Sequence, residues 1–306
     1  MTITQVPGVR VGHADDQVAK TGCTVIVTDK GATCGVDVRG SAPGTRETDL
    51  LDPVNLVDQV HAISLAGGSA YGLDAAGGVM QYLEEQEVGM DVGVAKVPIV
   101  PSAILFDLAV GDPSVRPNAA MGYEAAERAT EFPVIQGSVG AGAGATVGKV
   151  VGFDAASPSG IGSASITLDN GLVVGALVAV NAFGDVVNPS TDTIVAGARN
   201  LETGEFLNSR QVLREQPDPS GLAGTNTTLA VIAANASLTK AEATKVAQVA
   251  QNAIARTMSP AHTMLDGDTV FALGTGDEKY DVNVVSDLAC DTLEQAILNA
   301  VRVSGA

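Results

Sequence analysis

The sequence predicts a mixed α and β fold in which sheets are covered by helices. Three observations carry that expectation. Short runs rich in Val, Ile and Thr recur at strand length, longer stretches between them carry apolar residues at helical spacing, and apolar residues make up 45% of the 306 residues. The strand runs are 24–28, 94–100, 164–168, 172–180, 229–234 and 269–273. Pro98 confines the second to a sheet edge or strand end, because proline cannot donate to a ladder.

Four helices are expected between them. The stretch 50–62 carries Leu51, Val54, Leu56, Val57 and Val60 in a helical pattern and is acidic at its start. The stretch 69–84 opens on a serine cap, Ser69, and carries Leu73, Ala76, Val79, Met80 and Leu83. Thr239 and Glu242 form a capping-box pattern ahead of Val246, Val249, Ala250, Ala253 and Ile254. The last helix, 287–301, shows Leu288, Leu293, Ile297 and Val301. Aromatics are only 3% and tryptophan is absent, so the core is built from Val, Ala, Leu and Ile, packed closely with help from 35 glycines.

A formal charge of −18 repels phosphate backbones and anionic lipids, which argues against nucleic-acid and membrane-surface roles. Cys23, Cys34 and Cys290 have no CxxC spacing and read as buried thiols in a reducing compartment. The first residues lack the basic and apolar segments of a signal peptide, and no run of 18 apolar residues occurs. The expected setting is the cytoplasm.

Most chemical motifs fail on spacing. The glycine-rich loop 137–148 has Ala143 and Val150 where a P-loop needs Gly and Ser/Thr, so it reads as a tight loop of close backbone approach. Gly67-Gly68-Ser69-Ala70-Tyr71 misses the last glycine of a nucleophile elbow. His13, His61 and His262 have no metal-ligand spacing, and His61 reads as a structural or surface histidine on the helix 50–62. No metal or cofactor is expected.

What remains is Gly224-Thr225-Asn226-Thr227-Thr228-Leu229, at the mouth of a strand and behind a polar stretch, 201–224, that reads as an exposed linker or an ordinary surface loop. A threonine released there by chain cleavage becomes its own catalytic centre, since its free α-amine, titrating near ~7.7–8.0, is the base its hydroxyl needs. Asp266 and Asp268 follow, two residues apart; on an extended segment both side chains share a face, placed to bond one hydroxyl and one ammonium group, or simply to be solvated in a turn. Lys149 is a candidate for stabilising negative charge, and Asn181, at a strand end, for serving an oxyanion.

Together with Gly8-Val9-Arg10-Val11-Gly12-His13, 65–74, 97–101, 144–149, 180–185 and 266–272, these residues resemble the DmpA-like family of N-terminal-nucleophile hydrolases. That family holds L-aminopeptidase/D-amidase-esterases, β-peptidyl aminopeptidases and nylon-oligomer hydrolases. The resemblance implies an α+β, four-layer αββα sandwich, similar to Ntn hydrolases but differently connected, as in ornithine acetyltransferases. It implies a single domain over 1–306 that cuts itself between Asn226 and Thr227 into 1–226 and 227–306. Thr227 matches the nucleophile, Asn181 the oxyanion-hole asparagine, Asp266 and Asp268 the acidic pair, and Lys149 the lysine of the nylon-hydrolase branch. Phe106 stands where some members place a tyrosine. The implied activity is hydrolysis of small peptides or amide oligomers, 6-aminohexanoate oligomers included, by a homotetramer of cleaved protomers. Acyl transfer of the ornithine acetyltransferase kind and a catalytically silent binding protein are the alternatives.

Overall fold

A computed structural model describes residues 1–215 and 225–305. The strand Thr21–Val38 is 18 residues long and organises everything else. Its first half pairs antiparallel with Arg10–Asp16 and Val60–Ala66, and the latter extends in parallel to Ser102–Ile104. Register with Val60–Ala66 breaks between Val27 and Ala32, where Gly31 takes φ +77°. Beyond that break the same strand pairs with Thr269–Gly274, which continues through Thr227–Ala234 and Val173–Asn181 to Ile161–Thr167.

Alternation along the strands sorts the core into three layers. Leu229, Val231 and Ala233 meet Ile26, Ile63, Leu65, Leu177 and Phe271 in a cluster enclosed between the two halves of the sheet. Ala230, Ile232 and Ala234 face the other way, onto the helices Lys240–Thr257 and Val282–Val303 through Val246, Ile254, Leu293 and Ile297. On the far side, Val25, Val27 and Ala62 pack against Ala75–Glu85 and Ala119–Glu127 through Val79, Leu83 and Ala126. The result is the expected αββα order. Phe183 and Phe271 are the aromatic side chains among the largest fully buried ones, so aliphatic residues carry the core. The three cysteines are buried and free.

The crossover from Thr227–Ala234 to its parallel neighbour Thr269–Gly274 runs through Lys240–Thr257, as a parallel pair requires. That helix opens on the capping box read in the sequence: Thr239 Oγ1 accepts from Glu242 N, and Glu242 accepts from Thr239 N. The last helix starts earlier than expected because Asp281 caps it, accepting from Asn283 N.

Two expected elements differ. Within 50–62, Asp49–Leu51 is one 3-10 turn, and Val60–Ala66 is a strand buried at every position. An apolar run buried on both faces has no period of its own, and Pro53 interrupts the stripe that imitated a helix. His61 therefore lies on a strand, where its Nδ1 accepts from Ile99 N at 3.1 Å. Of the strand expected at 94–100, only Lys96–Val97 pairs, with Met90–Asp91. Ser69 does not cap its helix; at φ +54° it opens a 3-10 turn, Ser69–Asp74, ahead of Ala75–Glu85.

The loop 137–148 is held as tightly as its glycines suggested: a Cβ at Gly144 would lie 2.1 Å from Lys20 O, and one at Gly148 would lie 1.9 Å from Ala198 N. Part of the stretch 201–224 is a helix, Ser209–Glu215, anchored where Asp185 accepts from the amide and hydroxyl of Ser209. Residues 216–224 of that stretch lie outside the described residues. Among the described residues no helix is long and apolar enough to cross a membrane.

Gly35 marks where the helix Lys240–Thr257 lies hardest on the sheet, since a Cβ there would sit 2.1 Å from Thr244 N. Gly35→Ala is therefore expected to lower stability by roughly 1–3 kcal/mol as helix and strand move apart. Its denaturant midpoint, compared with that of wild type, checks this.

Candidate active site

Strand pairing brings most of the predicted residues to one place. Thr227 is the first residue of its strand, and its ladder partner is Asn181, the last residue of the neighbouring strand. On the other side Asn226 forms an isolated parallel bridge with Asp266. Thr227, Asn181, Asp266 and Asp268 thus meet at one end of the sheet, and all four are buried. Lys149 arrives from the glycine-rich loop and is fully buried beneath Asn181.

The peptide bond between Asn226 and Thr227 is held from two sides. Gly267 N donates to the Asn226 carbonyl at 2.8 Å, and the Thr227 hydroxyl donates to the same oxygen at 2.5 Å. Both hydrogen bonds draw electron density toward that oxygen and leave its carbon more electrophilic. Gly267 cannot carry a side chain here: a Cβ would stand 2.7 Å from Thr227 Oγ1 and 2.6 Å from Ala42 O. The segment bearing it is pinned by Arg39 and Gly40, whose amides donate to Asp268 O, and by Ala42, whose amide donates to Asp266 O.

Asn181 is oriented by what its oxygen accepts. Oδ1 takes hydrogen bonds from Lys149 Nζ at 2.8 Å and Thr146 N at 3.0 Å, which turns the amide nitrogen the other way. Nδ2 then donates to Phe106 O at 2.9 Å and, more loosely, to Thr225 O at 3.4 Å. Phe106 thus contributes its backbone carbonyl. Lys149 Nζ also donates to the Asn181 carbonyl at 2.9 Å. Burial lowers the Lys149 ammonium to a pKa of about 7, against the attraction of Asp266.

The two carboxylates do different work from the joint binding expected of them. Asp266 accepts from Phe183 N and from the amide and hydroxyl of Thr263. Burial, then the neighbouring Asp268, pushes its pKa up. Asp268 accepts from Thr228 N at 2.8 Å through Oδ1 and pairs with His262 Nδ1 at 2.8 Å through Oδ2. The hydroxyl of Thr227 is held by the Asn226 carbonyl and bonds neither carboxylate. The sequence reading missed Gly267 and His262. A glycine between two aspartates reads as a turn, while the run 262–268, which puts a histidine just upstream of the acidic pair, was the available signal for His262. Among the described residues no group of three or more His, Cys, Asp or Glu side chains is arranged to hold a metal ion.

Residues 1–304 match Peptidase family S58. The chain belongs to that family. As an S58 member it is a hydrolase of the peptidase kind. It is 46% identical over 296 residues to an uncharacterized aminopeptidase of Mycobacterium leprae, covering 90% of this chain and 78% of the relative. It is 35% identical over 275 residues to a 6-aminohexanoate-oligomer endohydrolase of Paenarthrobacter ureafaciens, covering 88% and 73%. In fold it is similar to a β-aminopeptidase of Burkholderia sp., with TM-score 0.69 at 23% identity. It is also similar to the L-aminopeptidase D-Ala-esterase/amidase of Ochrobactrum anthropi, described as a variant of the Ntn hydrolase fold, with TM-score 0.72 at 17% identity. Both structural comparisons cover 98% of this chain and 85% of the other.

Buried Lys149 makes this S58 site sensitive to pH in a way that does not depend on turnover. Above pH 10.5 the lysine is neutral whether the chain is folded or not; below it the unfolded chain takes a proton that the folded chain refuses until about pH 7. Folding stability on this account falls as pH drops from 10.5 toward 7. Lys149→Met should flatten that slope, so the wild-type minus variant difference in unfolding free energy grows with pH between 7 and 10.5. Denaturant titrations at several pH values check this.

Proposed function

We propose that this S58 hydrolase matures by cutting its own chain between Asn226 and Thr227, and then uses Thr227 as an N-terminal nucleophile on small amide substrates. One observation carries the reading: the hydroxyl of Thr227 and the amide of Gly267 both hydrogen-bond the carbonyl of the residue just before Thr227. Attack by Oγ1 on that carbon closes a five-membered ring. Collapse of the ring breaks the C–N bond, the nitrogen takes the proton the hydroxyl has lost, and Asn226 is left as an ester on Thr227. Water hydrolyses the ester to a carboxylate at Asn226 and restores the hydroxyl, now beside a free α-amine that serves as its base. The products are 1–226 and 227–306.

The same groups then serve a substrate. Departure of the new end at Asn226 releases Gly267 N, and the loose bond from Asn181 Nδ2 to Thr225 O is the one a substrate oxygen replaces. These two donors make an oxyanion hole, and Lys149 holds Asn181 in the orientation it needs. Buried Asp266 and Asp268 bring negative charge to the place where the amine forms. The relatives' names point to two substrate types, N-terminal aminoacyl groups and 6-aminohexanoate oligomers; both present a carbonyl with an amine on the same acyl unit, which suits an acidic site. The reading includes a homotetramer of cut protomers in the cytoplasm, supported by the family resemblance and by three free thiols.

Thr227→Ala is expected to leave the chain whole and to abolish turnover of aminoacyl 4-nitroanilides and of 6-aminohexanoate dimer. Asn181→Ala is expected to cost about 10²–10³ in kcat, the usual value of one oxyanion donor. Denaturing gels and steady-state kinetics on both variants check this; a Thr227→Ala chain that still splits or still turns over contradicts it.

A further inference from the structure

We propose that His262 is a positioning residue of this site: its Nδ1 holds one oxygen of Asp268, so that the other oxygen holds the amide of Thr228 and with it the start of the nucleophile strand. The inference rests on the reading of Thr227 as nucleophile. Asp268 has two oxygens and two jobs. Oδ1 accepts from Thr228 N at 2.8 Å and Oδ2 meets His262 Nδ1 at 2.8 Å. The side chain of Asp268 is 2% exposed and that of His262 is 16% exposed, so both contacts are made with little water to compete. A carboxylate held at only one oxygen swings about its Cβ–Cγ bond; one held at both does not.

The backbone at His262 is uncommon too: φ is +53°, in the left-handed region that non-glycine residues seldom enter, Asn, Asp and His most often among them. From that position the ring meets Asp268, while the next residue, Thr263, bonds Asp266. His262 and Thr263 thus serve the two aspartates in parallel, one residue for each carboxylate. His262 also meets the backbone of Gln251, on the helix Lys240–Thr257.

Charge adds a second consequence. Burial opposes protonation of His262, but its hydrogen bond to Asp268, the charge of Asp268 and the Gln251 backbone outweigh that, and its pKa is raised. The other charges facing it are few. Arg39, itself paired with Asp37, opposes protonation; Asp266 lies two residues from Asp268; Gln251 brings no charge from the helix. Two carboxylates beside a newly formed α-amine would by themselves raise its pKa and keep it protonated, which disables it as a base. A cationic imidazole on Asp268 offsets one of those charges. Lys149, drawn to Asp266, does the same on the other side.

Two substitutions separate geometry from charge. Asn tolerates positive φ and places an amide donor near the position of Nδ1, so His262→Asn keeps the hydrogen bond and removes the charge; His262→Ala removes both. The experiment measures self-cleavage on denaturing gels, thermal unfolding, and the pH dependence of kcat and KM with an aminoacyl 4-nitroanilide, for wild type and both variants. His262→Ala is expected to slow cleavage and to lower kcat by up to about 10²-fold with KM little changed, as misplacement of a reacting group does. His262→Asn is expected to recover most of kcat at alkaline pH, with the acid limb of kcat/KM moved up by about half a pH unit or more. If His262→Ala matches wild type in kcat and pH profile, or if a folded His262→Asn is as impaired as His262→Ala at every pH, the role of His262 is overturned while the nucleophile stands. A wild-type chain that stays whole and inert overturns the nucleophile and this role together.

Discussion

The site depends on one carbonyl oxygen. Asn226 O accepts from the amide of Gly267 and the hydroxyl of Thr227, and the sheet sets both contacts. The strand Thr227–Ala234 runs parallel to Thr269–Gly274, and that pairing continues past the strand ends as the bridge between Asn226 and Asp266. A parallel neighbour delivers its amide to the upstream residue without a dedicated side chain, so a backbone register does the work of a binding residue. The antiparallel neighbour on the other side delivers Asn181 to the same point. Thr227, the amide of Gly267 and Asn181 are therefore brought together at the ends of three adjacent strands, each fixed by the core layers on both faces.

Buried charge is the second constraint. Lys149, Asp266 and Asp268 sit close together at an end of the sheet from which water is largely excluded, where an unpaired charge is costly. Each is therefore held by backbone groups or short polar side chains: Lys149 by the carbonyls of Asn181 and Ala182, Asp266 by Thr263 and Phe183, Asp268 by Thr228 and His262. The shifts follow from that burial, downward for the lysine and upward for Asp266. Such a cluster is expensive for folding, and buried ionisable groups with shifted pKa values of this kind gather at functional sites.

Much of this was legible in the residues, and the misses have physical causes. Thr239 with Glu242 signals a helix start through local hydrogen bonds, so its reading holds to the residue. The Val- and Ile-bearing run after Thr227 and the glycines of 137–148 are likewise local signals. The stretch 50–62 misled because its apolar residues share no face: Val54 and Leu56 are exposed on the loop after Pro53, and only Val60 belongs to the strand buried on both faces. At the site, Thr227, Asn181, Lys149, Asp266 and Asp268 were named from order and resemblance, but their partners were not. The contact of His262 with Asp268 depends on a positive φ, and the contact of Gly267 with Asn226 depends on a strand register. The register leaves no mark in composition or spacing, and the spacing of His262 from the acidic pair gives its nearness but not the backbone turn that makes the contact.

The central claim concerns one bond, and mass answers it directly. Intact-mass analysis of the purified wild-type chain under denaturing conditions, with N-terminal sequencing of the smaller species, should give two polypeptides whose masses sum to the whole chain plus one water. The smaller should begin Thr227-Thr228-Leu229 with a free amine. A catalytically active preparation consisting of a single uncut chain, or a cut at any other bond, would contradict the account.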